Sequence, residues 1–177
     1  MNERPDLLND EAIKLSQSGF YTEAIACFKR AITIENDNYL LWFNMGLTFR
    51  DAGLLQKAVQ SFEKARSLPN GDENQDVYEA LAVTYFDLGD FENALNVCSQ
   101  ALELNPMNPQ LWNTRGAVFF NEGNFCDAQD CFETAVIINP YYAEALYNLR
   151  DTYKELKNEA GYTECVTKIS ELKTKLD

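Results

Sequence analysis

Few residues of this chain belong to the types that carry out catalysis. Its 177 residues include no histidine, the side chain that most often transfers protons near neutral pH. The sequence also lacks a Gly-x-Ser-x-Gly turn and a glycine-rich phosphate loop. Acidic pairs such as Asp87 and Asp90 fall at helix ends or turns, where carboxylates usually only contact solvent. The sequence therefore predicts a protein that is not an enzyme and needs no cofactor.

The five cysteines are the remaining reactive side chains. Without histidine and without a C-x-x-C pair, the ligands of a zinc site are missing, so no metal site is predicted. The odd number of cysteines favours reduced thiols. A regulatory thiol switch at Cys126 or Cys131 is a further hypothesis, although reactive thiols need a cationic setting that lowers their pKa, which an acidic chain hardly offers.

The charge balance restricts the partners of the protein. The net charge of −13 repels nucleic-acid phosphates and anionic membrane surfaces, so neither is expected to bind. The polar N-terminal segment MNERPDLLNDE and the absence of a long apolar run predict neither a signal peptide nor a membrane-spanning helix. We expect a cytoplasmic protein.

Small residues recur along the chain with a period close to 34. The segments LWFNMGLTF at 41–49 and LWNTRGAVF at 111–119 lie 70 residues apart, with Trp, Gly and Phe in register. Between and around them, glycines follow at intervals of 34, 36 and 34 residues, at Gly19, Gly53, Gly89 and Gly123. Two series of alanines keep the same intervals: Ala24, Ala58, Ala94 and Ala128, then Ala31, Ala65, Ala101 and Ala135. The chain is therefore an array of repeats with a two-residue insertion near residues 69–76.

Each repeat has the pattern of two helices. Trp42, Met45 and Phe49 follow a three-then-four spacing that forms one face of a first helix. The periodic glycine ends that helix, and a second helix carries the alanines and an aromatic residue on one face. Proline ends the second helix at Pro106 and Pro140.

This pattern resembles the tetratricopeptide repeat, W-x-x-L-G-x-x-Y followed by Ala, Phe, Ala and Pro. The matching segments are WFNMGLTF at 42–49, YEALAVTY at 78–85 and WNTRGAVF at 112–119. The resemblance implies an all-α fold, a right-handed α-solenoid, with residues 1–177 forming a single domain. Its five units are expected at 5–38, 39–72, 75–108, 109–142 and 143–176. The last unit departs from the pattern at Arg150 and Tyr162, as expected of a terminal repeat with a more polar outer side.

In tetratricopeptide arrays the first helices line a concave groove in which peptides commonly bind. By that resemblance, the predicted peptide-binding residues are Phe43, Asn44, Leu47, Glu79, Val83, Phe86, Asn113, Phe120 and Tyr147. Carboxylates outnumber cations at the groove positions, and asparagine amides can bond both polar groups of a peptide backbone. Two alternatives remain open: the aromatics can pack against the facing helix, and the asparagines can be solvated surface.

The leading hypothesis is a scaffold that binds a protein or peptide segment with Lys or Arg and apolar side chains. A carboxylate clamp for acidic chaperone tails is not expected. Only Asn44 matches that clamp over the first three units, and in a later register Glu79 and Glu144 take the places of cations. The alternative is a structural protein that self-associates through its terminal repeats, so the protein is expected to be a monomer or a weak homo-oligomer.

Overall fold

A computed structural model describes residues 4–174 of the chain. In this range the backbone forms helices joined by short connections, without strands. The helices are α1 (Pro5–Gln17), α2 (Tyr21–Ile34), α3 (Tyr39–Asp51), α4 (Leu55–Arg66), α5 (Gln75–Asp87), α6 (Phe91–Leu104), α7 (Pro109–Asn121), α8 (Phe125–Ile138), α9 (Ala143–Glu155) and α10 (Glu159–Thr174). The all-α prediction is confirmed.

The helices group into two compact units. The N-terminal unit, Met1–Asp90, contains α1 to α5, and the C-terminal unit, Phe91–Asp177, contains α6 to α10. The odd-numbered helices begin at residues 5, 39, 75, 109 and 143, which are the first residues of the five predicted repeats. The last positions of the repeat predicted at 143–176 lie outside the described residues, and a single domain over 1–177 stays a prediction.

The first helices end in one shared hydrogen-bond pattern. At the end of α3 the Gly53 N–H donates to the Arg50 carbonyl and the Leu54 N–H donates to the Phe49 carbonyl, the pattern of a Schellman cap. Gly53 has a φ of 73°, in the left-handed region that favours glycine. The equivalent glycines at 19, 89 and 123 share this conformation, as the period predicts. At the end of α9 the same position is held by Lys157 with a φ of 56°.

Glycines inside the first helices allow close contact with aromatic rings of the second helices. A Cβ on Gly46 would lie 2.5 Å from Cε1 of Phe62, and one on Gly116 would lie 2.7 Å from Cε1 of Phe132. Both rings are almost fully buried. A phenylalanine of the second helix therefore fills the space beside the glycine in each of these pairs.

The two-residue insertion is a tightly packed turn. Asn70 adopts a φ of 64°, and Gly71 is buried with its N–H donated to the Leu68 carbonyl. A Cβ on Gly71 would collide with the carbonyl oxygen of Ala65, so only glycine fits at this position. The turn holds the end of α4 close to the start of α5.

Tyrosine–glutamate hydrogen bonds join neighbouring helix pairs. In the N-terminal unit the Tyr85 hydroxyl on α5 donates to Oε1 of Glu63 on α4, at 3.0 Å. In the C-terminal unit the Tyr153 hydroxyl on α9 donates to Oε1 of Glu133 on α8, at 2.7 Å. We refer to these two contacts as the Tyr–Glu bridges. They tie a first helix to the second helix that precedes it.

The last helix pair has a less apolar interior. Val166 is 42% exposed at the repeat position where Phe62 and Phe132 are buried. Arg150 replaces the small residue of the first helix, and its guanidinium pairs with Asp151 at 2.6 Å. The Arg150–Asp151 pair fits the more polar outer side expected of a terminal repeat, whereas the exposed Val166 does not.

Candidate functional site

The predicted peptide-binding residues lie on the first helices, which are neighbours within each unit. In the N-terminal unit α3 contacts both α1 and α5, and in the C-terminal unit α7 contacts α9. We call the sides of these helices that carry the predicted residues the first-helix surfaces, one in each unit. The N-terminal surface carries Phe43, Asn44, Leu47, Glu79, Val83 and Phe86, and the C-terminal surface carries Asn113, Phe120 and Tyr147.

The aromatic residues of these surfaces also contact their own cores. The Phe43 ring lies 5.7 Å from the Phe62 ring, measured between centroids, and Phe120 contacts Phe125 edge-on at 5.3 Å. Tyr147 packs against the core of the C-terminal unit, and the Arg150 guanidinium lies 5.2 Å from its ring centroid. The rings of Phe43, Phe120 and Tyr147 are half-buried, so each packs inside its unit and keeps a part exposed to solvent.

An asparagine pair connects α1 and α3 in the N-terminal unit. The Asn44 amide nitrogen donates to Oδ1 of Asn9 at 3.0 Å. Asn44 Oδ1 and Asn9 Nδ2 have no further hydrogen-bond partner within residues 4–174, and neither atom is buried. The pair therefore offers both acceptor and donor groups to a ligand.

A similar pair connects α7 and α9 in the C-terminal unit. The Asn148 amide nitrogen donates to Oδ1 of Asn113 at 2.9 Å, and Nδ2 of Asn113 donates to Oε1 of Glu144 at 3.0 Å. Asn113 is only 2% exposed, and both ends of its amide are occupied. It therefore orients Glu144 and Asn148, which reach solvent, and the group offers the Glu144 carboxylate and Asn148 Oδ1 as acceptors beside the second N–H of Asn148.

Asn44 and Asn113 were predicted as site residues, but neither of the two pairings was predicted from the sequence. In each pair the two asparagines are 35 residues apart, one more than the period of 34. This offset places them on adjacent first helices, one residue out of register. The spacing was visible in the sequence, whereas the contact of Glu144 with Asn113 depends on side-chain conformations that the period does not encode.

The carboxylates of the two surfaces differ in exposure. On the N-terminal surface Asp76 and Asp87 are exposed and Glu79 is half-buried. On the C-terminal surface Glu144 is exposed, whereas Asp151 is engaged by Arg150. Each surface therefore keeps at least one solvent-exposed carboxylate, as a basic ligand requires.

The thiols do not support a redox switch at Cys131. Burial raises the pKa of Cys131 to about 11 and that of Cys98 to about 12, so both remain protonated at neutral pH. Cys126 is the exposed cysteine among the five. Within residues 4–174 no group of cysteine, aspartate and glutamate side chains is arranged to hold a metal ion. Nor does that range contain a helix with the length and apolarity needed to cross a membrane.

Comparisons with known proteins agree with the repeat architecture. A tetratricopeptide repeat profile matches residues 9–73, and a second profile described as a TPR repeat matches residues 82–123. Among curated proteins, the TPR repeat-containing protein YpiA of Bacillus subtilis is 24% identical over 163 residues. The peroxisomal targeting signal receptor of Candida albicans is 28% identical over 153 residues. The aligned regions cover 92% and 83% of this chain but only 37% and 26% of those proteins.

Solved structures share the fold at low sequence identity. MamA from Desulfovibrio magneticus RS-1 superposes with a TM-score of 0.84 at 18% identity, over 100% of this chain and 99% of that one. YrrB, described as a TPR protein with an unusual peptide-binding site, superposes with a TM-score of 0.71 at 24% identity, over 93% and 84% of the two chains. At these identities the likeness shows the fold alone, an all-α solenoid of helical repeats.

Proposed function

The chain belongs to the tetratricopeptide repeat family, whose members are generally scaffolds for protein interactions, and from this we propose a non-catalytic scaffold that binds a protein or peptide segment. The segment binds on the first-helix surfaces through its backbone, its Lys or Arg residues and its apolar side chains. The names of two similar proteins, a targeting signal receptor and a protein with a peptide-binding site, support this proposal.

The asparagine pair of the N-terminal unit is the observation that carries the proposal. Asn44 Oδ1 can accept a hydrogen bond from a peptide N–H, and Asn9 Nδ2 can donate one to a peptide carbonyl. The half-buried side chains of Phe43, Leu47 and Val83 provide apolar contacts on the same unit. An extended segment with apolar residues fits this combination.

The C-terminal unit favours a cationic side chain. Asn113 donates to Glu144, and the acceptors that remain for a ligand, the Glu144 carboxylate and Asn148 Oδ1, outnumber the one remaining donor, the second N–H of Asn148. A lysine ammonium group has only donors and therefore complements these acceptors. Tyr147 on the same helix adds an exposed part of an aromatic ring.

Binding of charge-reversed peptides to the full chain tests the proposal. A fluorescent peptide with alternating Lys and Leu is compared with one in which Glu replaces each Lys, using fluorescence anisotropy. We expect the basic peptide to bind more tightly and its Kd to rise with salt, because exposed charges are screened over about 8 Å at physiological ionic strength. Tighter binding of the acidic peptide, or a Kd that is independent of salt, contradicts the proposal.

A single charge removal tests the C-terminal surface. Glu144→Gln keeps an acceptor for Asn113 and removes the negative charge. We expect a rise of about 1.4- to five-fold in the Kd of the basic peptide, from the roughly 0.2–1 kcal/mol of an exposed ion pair. Glu103→Gln, an equal charge change at an exposed position of α6, is the matched control and should leave the Kd unchanged. Substitution of the buried Asn113 would test whether it positions Glu144, and not whether Glu144 contacts the peptide.

Self-association is the second candidate function, because the apolar Val166 is exposed on α10. In that case the sedimentation coefficient rises with protein concentration, and Val166→Lys abolishes the rise. A concentration-independent monomer rejects this candidate and leaves the peptide-binding proposal standing.

A further inference from the structure

In the C-terminal unit, the junction of α6 and α7 lacks the Tyr–Glu bridge. At the repeat positions of Glu63 and Glu133, α6 carries Ser99, whose hydroxyl donates to the Leu95 carbonyl of its own helix. At the positions of the bridging tyrosines, α7 carries Phe119. Neither the hydroxyl group nor the carboxylate of a bridge is therefore present between α6 and α7.

The same junction carries an arginine at an apolar repeat position. Arg115 stands where α3, α5 and α9 have Met45, Leu81 and Leu149, whereas α1 has Glu11 there. Its guanidinium carbon lies 5.6 Å from the ring centroid of Trp112 and 5.6 Å from that of Phe119. The chain thus places a cation between two aromatic rings at the one junction of the C-terminal unit from which a glutamate is missing.

The guanidinium of Arg115 has no anionic partner within the described range. Its Nε is buried and makes no hydrogen bond, and no carboxylate of residues 4–174 forms an ion pair with it. Nε is the single buried and unsatisfied side-chain N or O atom in that range. A buried donor without a partner costs free energy, and a carboxylate could offset this cost by bonding the guanidinium.

We propose that the surface around Arg115, between α6, α7 and α8, binds a carboxylate from an aspartate or glutamate of a partner protein. The ligand is a carboxylate because glutamates occupy the corresponding place beside Tyr85 and Tyr153. Trp112 and Phe119 flank the guanidinium and reduce its contact with water, which strengthens the charge-assisted hydrogen bonds. This site is formed by side chains outside the first-helix surfaces and recognises the opposite charge.

A substitution that supplies the missing carboxylate tests the site in the full chain. We expect Ser99→Glu to raise the thermal unfolding midpoint by about 2–6 °C, as a charge-assisted hydrogen bond does in a chain of this size. In an Arg115→Leu background, which restores the apolar residue of Leu81 and Leu149, the same substitution should give no rise. Gln100→Glu, about 100° further around α6, is the control. An equal effect of Ser99→Glu in both backgrounds overturns the proposal.

A ligand titration tests the site without changing its charge. The ¹H–¹⁵N signal of the Arg115 Nε group is followed while acetate is added, with chloride at equal ionic strength as the reference. We expect a saturable shift with acetate that Ser99→Glu removes. A response equal to that of chloride, or a response to inorganic phosphate but not to acetate, overturns the assignment of a carboxylate site.

Discussion

At the level of single residues, the ends of the first helices show where the sequence departs from its own period. Four of these helices are followed by glycine with a φ between 72° and 82°, whereas α9 is followed by Lys157 with a φ of 56°. A left-handed conformation costs a residue with a Cβ roughly 1–2 kcal/mol. The hydrogen bonds of the cap are nevertheless complete, because the Asn158 N–H donates to the Tyr153 carbonyl at 2.8 Å.

Lys157→Gly should therefore stabilise the protein. The substitution relieves the strain at φ 56° and loses part of the gain to the larger conformational freedom of glycine in the unfolded chain. We expect the free energy of unfolding to rise by about 0.5–1 kcal/mol, which corresponds to a rise of about 1–4 °C in the unfolding midpoint. The measurement is urea or thermal unfolding followed by circular dichroism.

The matched control is Gly123→Ala at the end of α7, where φ is 79° and nothing lies within 4 Å of a new Cβ. We expect this substitution to lower the free energy of unfolding by about 1 kcal/mol, from backbone strain alone, because the new Cβ meets no clash. If both substitutions change stability in the same direction, the argument from the left-handed conformation is wrong.

At the level of the helices, the Tyr–Glu bridges join neighbouring helix pairs through side-chain hydrogen bonds that the repeat period does not predict. Tyr153→Phe removes a hydrogen bond to the half-buried Glu133, which retains a bond from Gln129 Nε2 at 2.7 Å. We expect a loss of about 1 kcal/mol at neutral pH, near the lower end for bonds to charged groups. Tyr162→Phe is the control, since the Tyr162 hydroxyl makes no hydrogen bond with any residue in the described range.

The bridges also predict how stability changes at alkaline pH. Burial and the neighbouring Glu63 raise the pKa of Tyr85 to about 12, and burial with the hydrogen bond from Tyr153 to Glu133 raises the pKa of Tyr153 as well. A raised tyrosine pKa contributes stability that is complete below the unfolded value of about 10 and is lost as the pH rises above it. The difference between the wild type and Tyr153→Phe should therefore shrink above about pH 10.

Urea unfolding at neutral pH and at alkaline pH measures this effect. Both proteins carry Cys165→Ala in this measurement, because the Cys165 thiol raises the pKa of Tyr153 and would otherwise titrate differently in the two proteins. A difference that stays constant or grows above pH 10 contradicts the interpretation.

The helices could be predicted from the sequence because their signals are local and repeated. Glycines and alanines at intervals of 34 and 36 residues fixed where each first and second helix had to lie. The side-chain partners could not be predicted in the same way. Tyr85 and Glu63 are 22 residues apart, and the contact forms only because α4 and α5 pack together. The charge of Arg115 at an apolar position was visible, but its isolation between two rings required the structure.

At the level of the whole molecule, the net charge of −13 acts on folding and on binding in opposite directions. Like charges repel one another in the compact state, so screening by salt should stabilise the fold. The same screening weakens attraction to a basic ligand, because the Debye length falls from about 30 Å at 0.01 M to about 10 Å at 0.1 M salt. If a partner dissociates at high salt, the cause is therefore the screening of charges and not unfolding of the protein.

We expect the unfolding midpoint to rise by a few degrees between about 0.01 M and 0.1 M sodium chloride, while the Kd of the basic peptide rises over the same range. Both quantities are measured on one preparation of the full chain, by circular dichroism and fluorescence anisotropy. Glycerol at matched viscosity is the control, since it leaves the charges unscreened. If the midpoint falls with salt, unfolding rather than screening explains weaker binding, and the charge-based account of the first-helix surfaces fails even though the helical repeats remain.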